Sequence, residues 1–304
     1  MIRSETFSQA VYQAICRAST VAPADVFAAF ERGLKSEEGL AQQALARTYD
    51  NICYAREQDR LACSDTGWPL FYLKIGEEAK LEGGLAQIED ICREMVIKAT
   101  DDAHLRPTVK HPLTGFDTNN NVGENVPAFT YKFVKGDGFE ITFVAKGGGS
   151  ECFGGTRYRM VAFADGTAGV EKFILDSYID GCRSGKICPP AIIGVGIGGT
   201  ADISAKLAKQ ASSLRLVGSR HSEPLIAEME ERLYRGINNL GIGAFGLGGT
   251  VSAFAVNIEY AFSHIGGIAV SMAASCCVTR RATMVVDSAN KISEKADPQW
   301  FQGR

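Results

Sequence analysis

The chain has 304 residues, of which 45% are hydrophobic and 22% charged, the balance of an ordinary globular protein with room for a large buried core. A net charge of -3 leaves no basic footprint for nucleic acid, and the longest apolar runs, such as residues 189–197, are too short to span a bilayer. The opening MIRSETFSQAVYQAICRAS lacks the apolar stretch of a secretory leader, so the expected compartment is the cytoplasm.

In chain order, residues 25–34 and 39–57 space their apolar side chains as helices do. A polar turn, Cys63-Ser64-Asp65-Thr66-Gly67, then leads into a strand-like run over residues 68–75. Residues 85–100 read as a helix. An irregular polar stretch follows over 101–127, carrying Asn119-Asn120-Asn121; a loop of that length is usually functional or draped over a core. Strands are expected at 128–135 and 138–146, the second ending in Gly147-Gly148-Gly149-Ser150. Beyond it come a helix at 167–181, a buried strand at 189–195, helices at 201–211 and 222–240, a glycine-rich stretch at 241–249, and strands at 268–274 and 281–286. No repeat or linker interrupts this order. The simplest reading is one α/β (mixed α+β) domain over residues 1–304, with β-sheets surrounded by helices.

Two features suggest chemistry. Gly194-Val195-Gly196-Ile197-Gly198-Gly199 fits G-x-G-x-x-G after a strand and before a helix, which is the setting of a dinucleotide-binding turn. The same pattern recurs at Gly241-Ile242-Gly243-Ala244-Phe245-Gly246, so in a chain with 33 glycines it is a weak signal. Close backbone packing would explain these glycines as well. The nine cysteines contain no C-x-x-C pair, so a metal site would have to gather thiols from distant segments. An odd number of cysteines argues against a disulfide framework.

Three segments taken in order carry a resemblance: Cys63-Ser64-Asp65-Thr66-Gly67, then Cys188-Pro189-Pro190 with the glycine turn after it, then Ser275-Cys276-Cys277-Val278-Thr279-Arg280. With Leu105-Arg106, Lys146-Gly147-Gly148-Gly149-Ser150, Gly218-Ser219-Arg220-His221 and Leu240-Gly241-Ile242-Gly243, they resemble the class I fumarase and L-tartrate dehydratase family of iron–sulfur hydro-lyases. The resemblance covers residues 50–286 and implies a [4Fe–4S] cluster held by Cys63, Cys188 and Cys276. Cys277 competes for the third place. Cys276 is preferred because Arg280 then follows four residues later, as in the family's matching segment. Three thiolates would leave one iron open as a Lewis acid for a substrate hydroxyl and carboxylate.

The same resemblance implies that Asp65 handles protons at the cluster, although an Asp in a turn can equally be a cap. It implies substrate contacts from Arg106, by bidentate carboxylate binding, from Gly149 through its backbone, and from His264, twelve residues before Cys276. His221 is a weaker candidate. The family's first motif reads C-Q-D-T-G, and Ser64 stands here in place of Gln. This substitution points away from a fixed fumarate preference and opens L-tartrate or a mesaconate-like dicarboxylate. Glu151-Cys152-Phe153-Gly154-Gly155 also departs from typical fumarases. Single-chain members continue into a further domain, so the chain reads as an α subunit needing a β partner, assembled as α2β2. Two other readings are a nicotinamide-dependent oxidoreductase built on Gly194–Gly199 and a non-catalytic iron–sulfur scaffold.

Overall fold

The computed structural model describes residues 1–153, 155–185 and 187–302. It has mixed α/β architecture with two mixed sheets flanked by helices, as the sequence pattern implied. The chain forms two compact units, the first from residues 1–23, 52–146 and 280–298, the second from 24–51 and 147–279 with the last residues from 299 onward.

The first unit is built on a five-stranded sheet in the order β2-β1-β3-β8-β9, from β1 (Trp68–Gly76), β2 (Ala128–Val134), β3 (Phe139–Lys146), β8 (Arg281–Val286) and β9 (Ile292–Lys295). Only the β1–β2 pair is parallel. Alternation along the strands sets the faces. Phe71, Leu73 and Ile75 of β1 join Phe139, Ile141 and Phe143 of β3 in the core. The helix α1 (Ser4–Thr20) closes that core with Phe7, Ala10, Val11, Ala14, Ile15 and Ala18, an apolar stripe at helical spacing. From α4 (Ile88–Asp101) come Ile88, Ile91, Cys92, Val96 and Ala99. The opposite side of β1 and β3 is mixed, with Lys74, Glu140 and Thr142 beside Leu70, Tyr72 and Val144. There the Lys74 ammonium lies 3.1 Å from Glu140 and donates to the Pro298 carbonyl at 2.7 Å, pinning the C-terminal tail.

The second unit holds a four-stranded sheet, β4-β7-β5-β6, from β4 (Arg157–Val161), β5 (Ala191–Ile197), β6 (Ala253–Tyr260) and β7 (Ile268–Ser275). Only β5 and β6 run parallel. α5 (Gly166–Arg183) and α7 (Pro224–Asn238) pack their apolar stripes against Val195, Val256, Ile258, Val270 and Met272. The other face takes α6 (Ala201–Leu214), which lies against β5 through Gly194 and Gly196. α2 (Ala24–Ser36) belongs to this unit, and α3 (Gly39–Glu57) starts in it, with residues 52–57 counted in the first.

Most elements fall where the pattern placed them, with ends moved by a few residues. The helix expected over 222–240 starts at Pro224, because a missing N–H costs nothing in a first turn. The strand expected from residue 189 begins at Ala191, since neither Pro189 nor Pro190 can donate to a ladder. Three strands were not expected. β4 and β9 are short sheet edges with little alternation, and β6 is buried at seven of its eight residues, which erases the period of two. The stretch 101–127 holds no helix or strand, as expected.

One buried charge network shapes the turn after α6. Glu230 of α7 is 0% exposed and accepts from the Arg215 guanidinium at 2.7 Å, the His221 N–H at 2.9 Å and the Ile258 N–H at 2.8 Å. Glu259 lies 3.5 Å from the same guanidinium. Removing one partner of such a group leaves an uncompensated buried charge, which costs about 3–5 kcal/mol. Glu230→Ala should therefore lower unfolding stability by that amount in denaturant titration, with the loss read as a fall in midpoint.

Candidate functional site

The first unit assembles its candidate residues at the end of the sheet where β1 begins. Ser64 is exposed, Cys63 and Asp65 are half-buried, and Thr66 is buried. The Thr66 hydroxyl accepts the Arg106 N–H at 3.0 Å and donates to the Arg106 carbonyl at 3.1 Å, closing the turn onto the loop after α4. The Arg106 side chain is exposed and its Nη1 reaches the Ser64 carbonyl at 3.4 Å. Asn121, from the Asn triplet, supports the same loop from beneath. Its carboxamide nitrogen donates to the Arg106 carbonyl and to the Thr100 hydroxyl, both at 3.0 Å, and its oxygen accepts the Thr108 N–H at 2.9 Å.

Asp65 does act as a cap, its Oδ1 accepting the Gly67 N–H at 3.0 Å. Its backbone carbonyl accepts from Nη1 of Arg280. Arg280 precedes β8 and Arg281 opens it, opposite the end of β3 that carries Lys146, and all three cations are buried.

The second unit gathers a different set. Cys188 precedes β5 and Cys276 follows β7, and because these strands are antiparallel neighbours both thiols sit at one end of the sheet. The Cys277 N–H donates to the Cys188 carbonyl at 3.3 Å, and the Thr279 hydroxyl donates to the Cys276 carbonyl at 3.1 Å. Cys188 is exposed and Cys276 half-buried, whereas Cys277 is only 2% exposed. Gly149 opens a single wide turn of π-helix over Gly149–Phe153, and Glu151 of that turn pairs with Lys209 of α6 at 2.5 Å. That places it toward the cysteine end, since Ser212, three residues on in α6, meets Ser275 at 3.4 Å. Gly154, in the segment that departs from typical fumarases, lies outside the described residues.

His264 is not brought to these cysteines. It is exposed on the β6–β7 connection, and Cys276 follows the far end of β7. A strand of eight residues separates them, roughly 23 Å at the rise of an extended chain. His221 lies at the His264 end too, its ring 5.9 Å from that of Tyr260.

The glycine turn has a packing explanation. A Cβ on Gly194 would stand 2.0 Å from the Ala208 carbonyl oxygen, and one on Gly196 would stand 1.9 Å from that of Ser204. These glycines let α6 lie on β5. The first turn of α6 carries its own anion, Asp202, whose carboxyl is held below the usual range by the Thr200 hydroxyl at 2.5 Å and by backbone N–H groups. A pyrophosphate at that N-terminus would meet a negative charge already there.

The thiols also differ in chemistry. Burial pushes the Cys16 thiol up to about 11, and burial raises Cys92 and Cys182 as well. These are weak ligands and nucleophiles at neutral pH. Among the described residues no three His, Cys, Asp or Glu side chains converge on a point that could hold a single metal ion. A cluster asks for something else, one thiolate on each of several irons. Cys63, Cys188 and Cys276 are among the partly or fully accessible thiols and have the chemistry for it, whereas Cys92 and Cys277 are buried.

Comparison with known proteins identifies the family. Residues 8–285 match the family model described as fumarate hydratase (Fumerase). A Methanocaldococcus jannaschii protein that carries the provisional name L(+)-tartrate dehydratase subunit alpha is 39% identical over 278 residues, covering 90% of this chain and 95% of that protein. The L(+)-tartrate dehydratase subunit alpha of Escherichia coli strain K12 is 35% identical over 239 residues, 78% of this chain and 76% of its own length. The E. coli O157:H7 protein of that name is 36% identical over the same share. The fold and these matches define a hydro-lyase class of protein. The chain belongs to the fumarate hydratase (Fumerase) family, a family of iron–sulfur hydro-lyases. No helix among the described residues is long and apolar enough to cross a membrane.

Two outcomes follow from this geometry. Gly196→Ala should cost about 1–3 kcal/mol or more through overpacking, read as a lowered melting temperature without any nucleotide present. In native protein at pH 8, iodoacetamide followed by mass spectrometry should modify exposed Cys152 and Cys188 first. Cys16 and Cys92, whose thiols burial holds in the protonated form, should stay unmodified until the chain is unfolded.

Proposed function

We propose that this chain is the cluster-bearing α subunit of a hydro-lyase that reversibly adds or removes water on a C4-type dicarboxylate. L-tartrate is the first candidate and fumarate/malate or a mesaconate-like acid the next. The similarity to tartrate dehydratase α subunits along most of the chain carries this reading. It is supported by the exposed Ser64 and Arg106 presented on a turn locked by Thr66. We assign the cluster to Cys63, Cys188 and Cys276, preferring Cys276 over the more deeply buried Cys277. When bound, the cluster would supply a Lewis-acidic iron for the departing or entering hydroxyl.

The remaining chemistry falls to the chain's own groups. The guanidinium of Arg106 binds a substrate carboxylate in two-pronged fashion. The Gly149 N–H contributes backbone polarity. Asp65 moves a proton near Cys63 once its Oδ1 is released from, or shared with, the Gly67 N–H. Ser64 offers one short hydroxyl where the family's Gln would offer a longer amide, leaving space for a hydroxyl-bearing substrate such as tartrate. His264 could meet this substrate only from a second copy of the chain, because within one chain it lies beyond β7 from the cysteines.

Residues 1–304 would act as one fumarase-type functional domain. The relatives' designation as α subunits supports a β partner, in an α2β2 assembly in the cytoplasm, where thiols stay reduced.

The test is anaerobic reconstitution with iron and sulfide, with Cys276→Ser and Cys277→Ser in parallel. About four irons per chain are expected for wild type and Cys277→Ser, with a broad thiolate-to-iron band, and a marked loss in Cys276→Ser. With the β subunit added, L-tartrate should be dehydrated. Absence of iron in wild type, or iron retained by Cys276→Ser as in wild type, would reject the assignment.

A further inference from the structure

Arg280 is 4% exposed and immediately precedes β8. Its backbone is fixed by the Ala145 N–H, which donates to the Arg280 carbonyl at 3.2 Å. Its Nη1 donates to the backbone carbonyl of Asp65, and its Nε, also buried, meets no hydrogen-bond acceptor. A guanidinium is costly to bury. Here it is aimed at a peptide oxygen in the turn that carries Cys63, Ser64 and Asp65. Thr66 ties that turn to the Arg106 loop, with longer contacts from Arg106 to the Ser64 carbonyl and from Thr108 to the Gly67 carbonyl, and Arg280 ties it to the sheet. Removing Arg280 takes away the side chain that holds the Asp65 carbonyl to the sheet, next to Gly67 at φ +72.

We propose that Arg280 is a positioning residue that fixes the Asp65 peptide, and through it the direction of the Asp65 carboxylate and the Cys63 thiol. It touches neither substrate nor cluster in this role. The proposal rests on the hydro-lyase reading only for its activity readout.

The experiment uses the full chain with its β subunit, as wild type, Arg280→Met and Arg280→Lys. Methionine keeps much of the volume and removes every donor; lysine keeps one donor and the charge. Hydrogen exchange of the segment 62–68 is measured first, in protein without iron. Arg280→Met should exchange there at least tenfold faster, with the α1 and α4 segments unchanged. In reconstituted protein it should lose iron to a chelator at least fivefold faster, and its kcat should fall at least tenfold while KM moves less than threefold. Arg280→Lys should lie between the two. A purely structural role would lower the melting temperature and leave exchange at 62–68 and the kcat-to-KM split alone. A folded Arg280→Met equal to wild type in exchange and kcat overturns the proposal. Should Arg280→Met not fold, Arg280→Lys decides: at least threefold faster exchange and at least threefold lower kcat uphold it, and wild-type values in both overturn it. If wild type itself holds no iron, the cofactor reading fails, while exchange at 62–68 still decides the role of Arg280.

Discussion

The Thr66 hydroxyl accepts the N–H of Arg106 and gives its own proton to the carbonyl of the same residue, so a single buried side chain fastens two segments that are forty residues apart. Each of those bonds is worth about 1 kcal/mol in net terms. Their larger effect is geometric, because holding the N–H and the C=O of one residue fixes the peptide planes on both sides of its Cα. With Asn121 holding the Arg106 carbonyl from the other side, the loop between α4 and β2 is ordered at its start without a helix or strand of its own. The exposed guanidinium of Arg106 and the exposed Ser64 are thereby presented by a rigid base.

The second unit reaches a similar end by a different route. Its cysteines are placed by strand direction: β5 begins where its antiparallel neighbour β7 ends, so residues just before one and just after the other must be neighbours. The close approach of α6 to β5, open only to glycine at positions 194 and 196, then fixes the helix that carries Lys209 and so the turn at Gly149. Glycines that could be read as a phosphate cradle are thus spent on packing. The same antiparallel geometry sends His264 to the far end of the sheet, which sequence spacing alone could not reveal.

Charge is distributed with equal economy. In the second unit, Arg215 is buried with Glu230 and Glu259, and the network is closed by backbone N–H groups. In the first, Lys146, Arg280 and Arg281 are buried around the end of one sheet next to the Cys63–Gly67 turn. A buried carboxylate that accepts from a guanidinium and two peptide N–H groups is a structural device.

The sequence by itself determined the family, the order of most elements and the identity of the candidate ligands. Those features live in local pattern: the helical spacing of α2 and α3, the strand-like runs of β1 and β3, and short motifs such as Cys63 to Gly67 with the chemistry of their side chains written in them, whereas α1 was not singled out. Edge strands β4 and β9 were illegible because they are short, and β6 because burial on both faces removes its alternation. Only the tertiary structure decided which of the neighbouring cysteines is sealed and which is accessible, that Gly194 and Gly196 serve a helix contact, that Arg280 holds the Asp65 carbonyl, and that His264 and Cys276 stand at opposite ends of β7. Each of these depends on which way a strand runs and what packs on it, and contacts between residues distant in sequence leave no periodic trace in the chain.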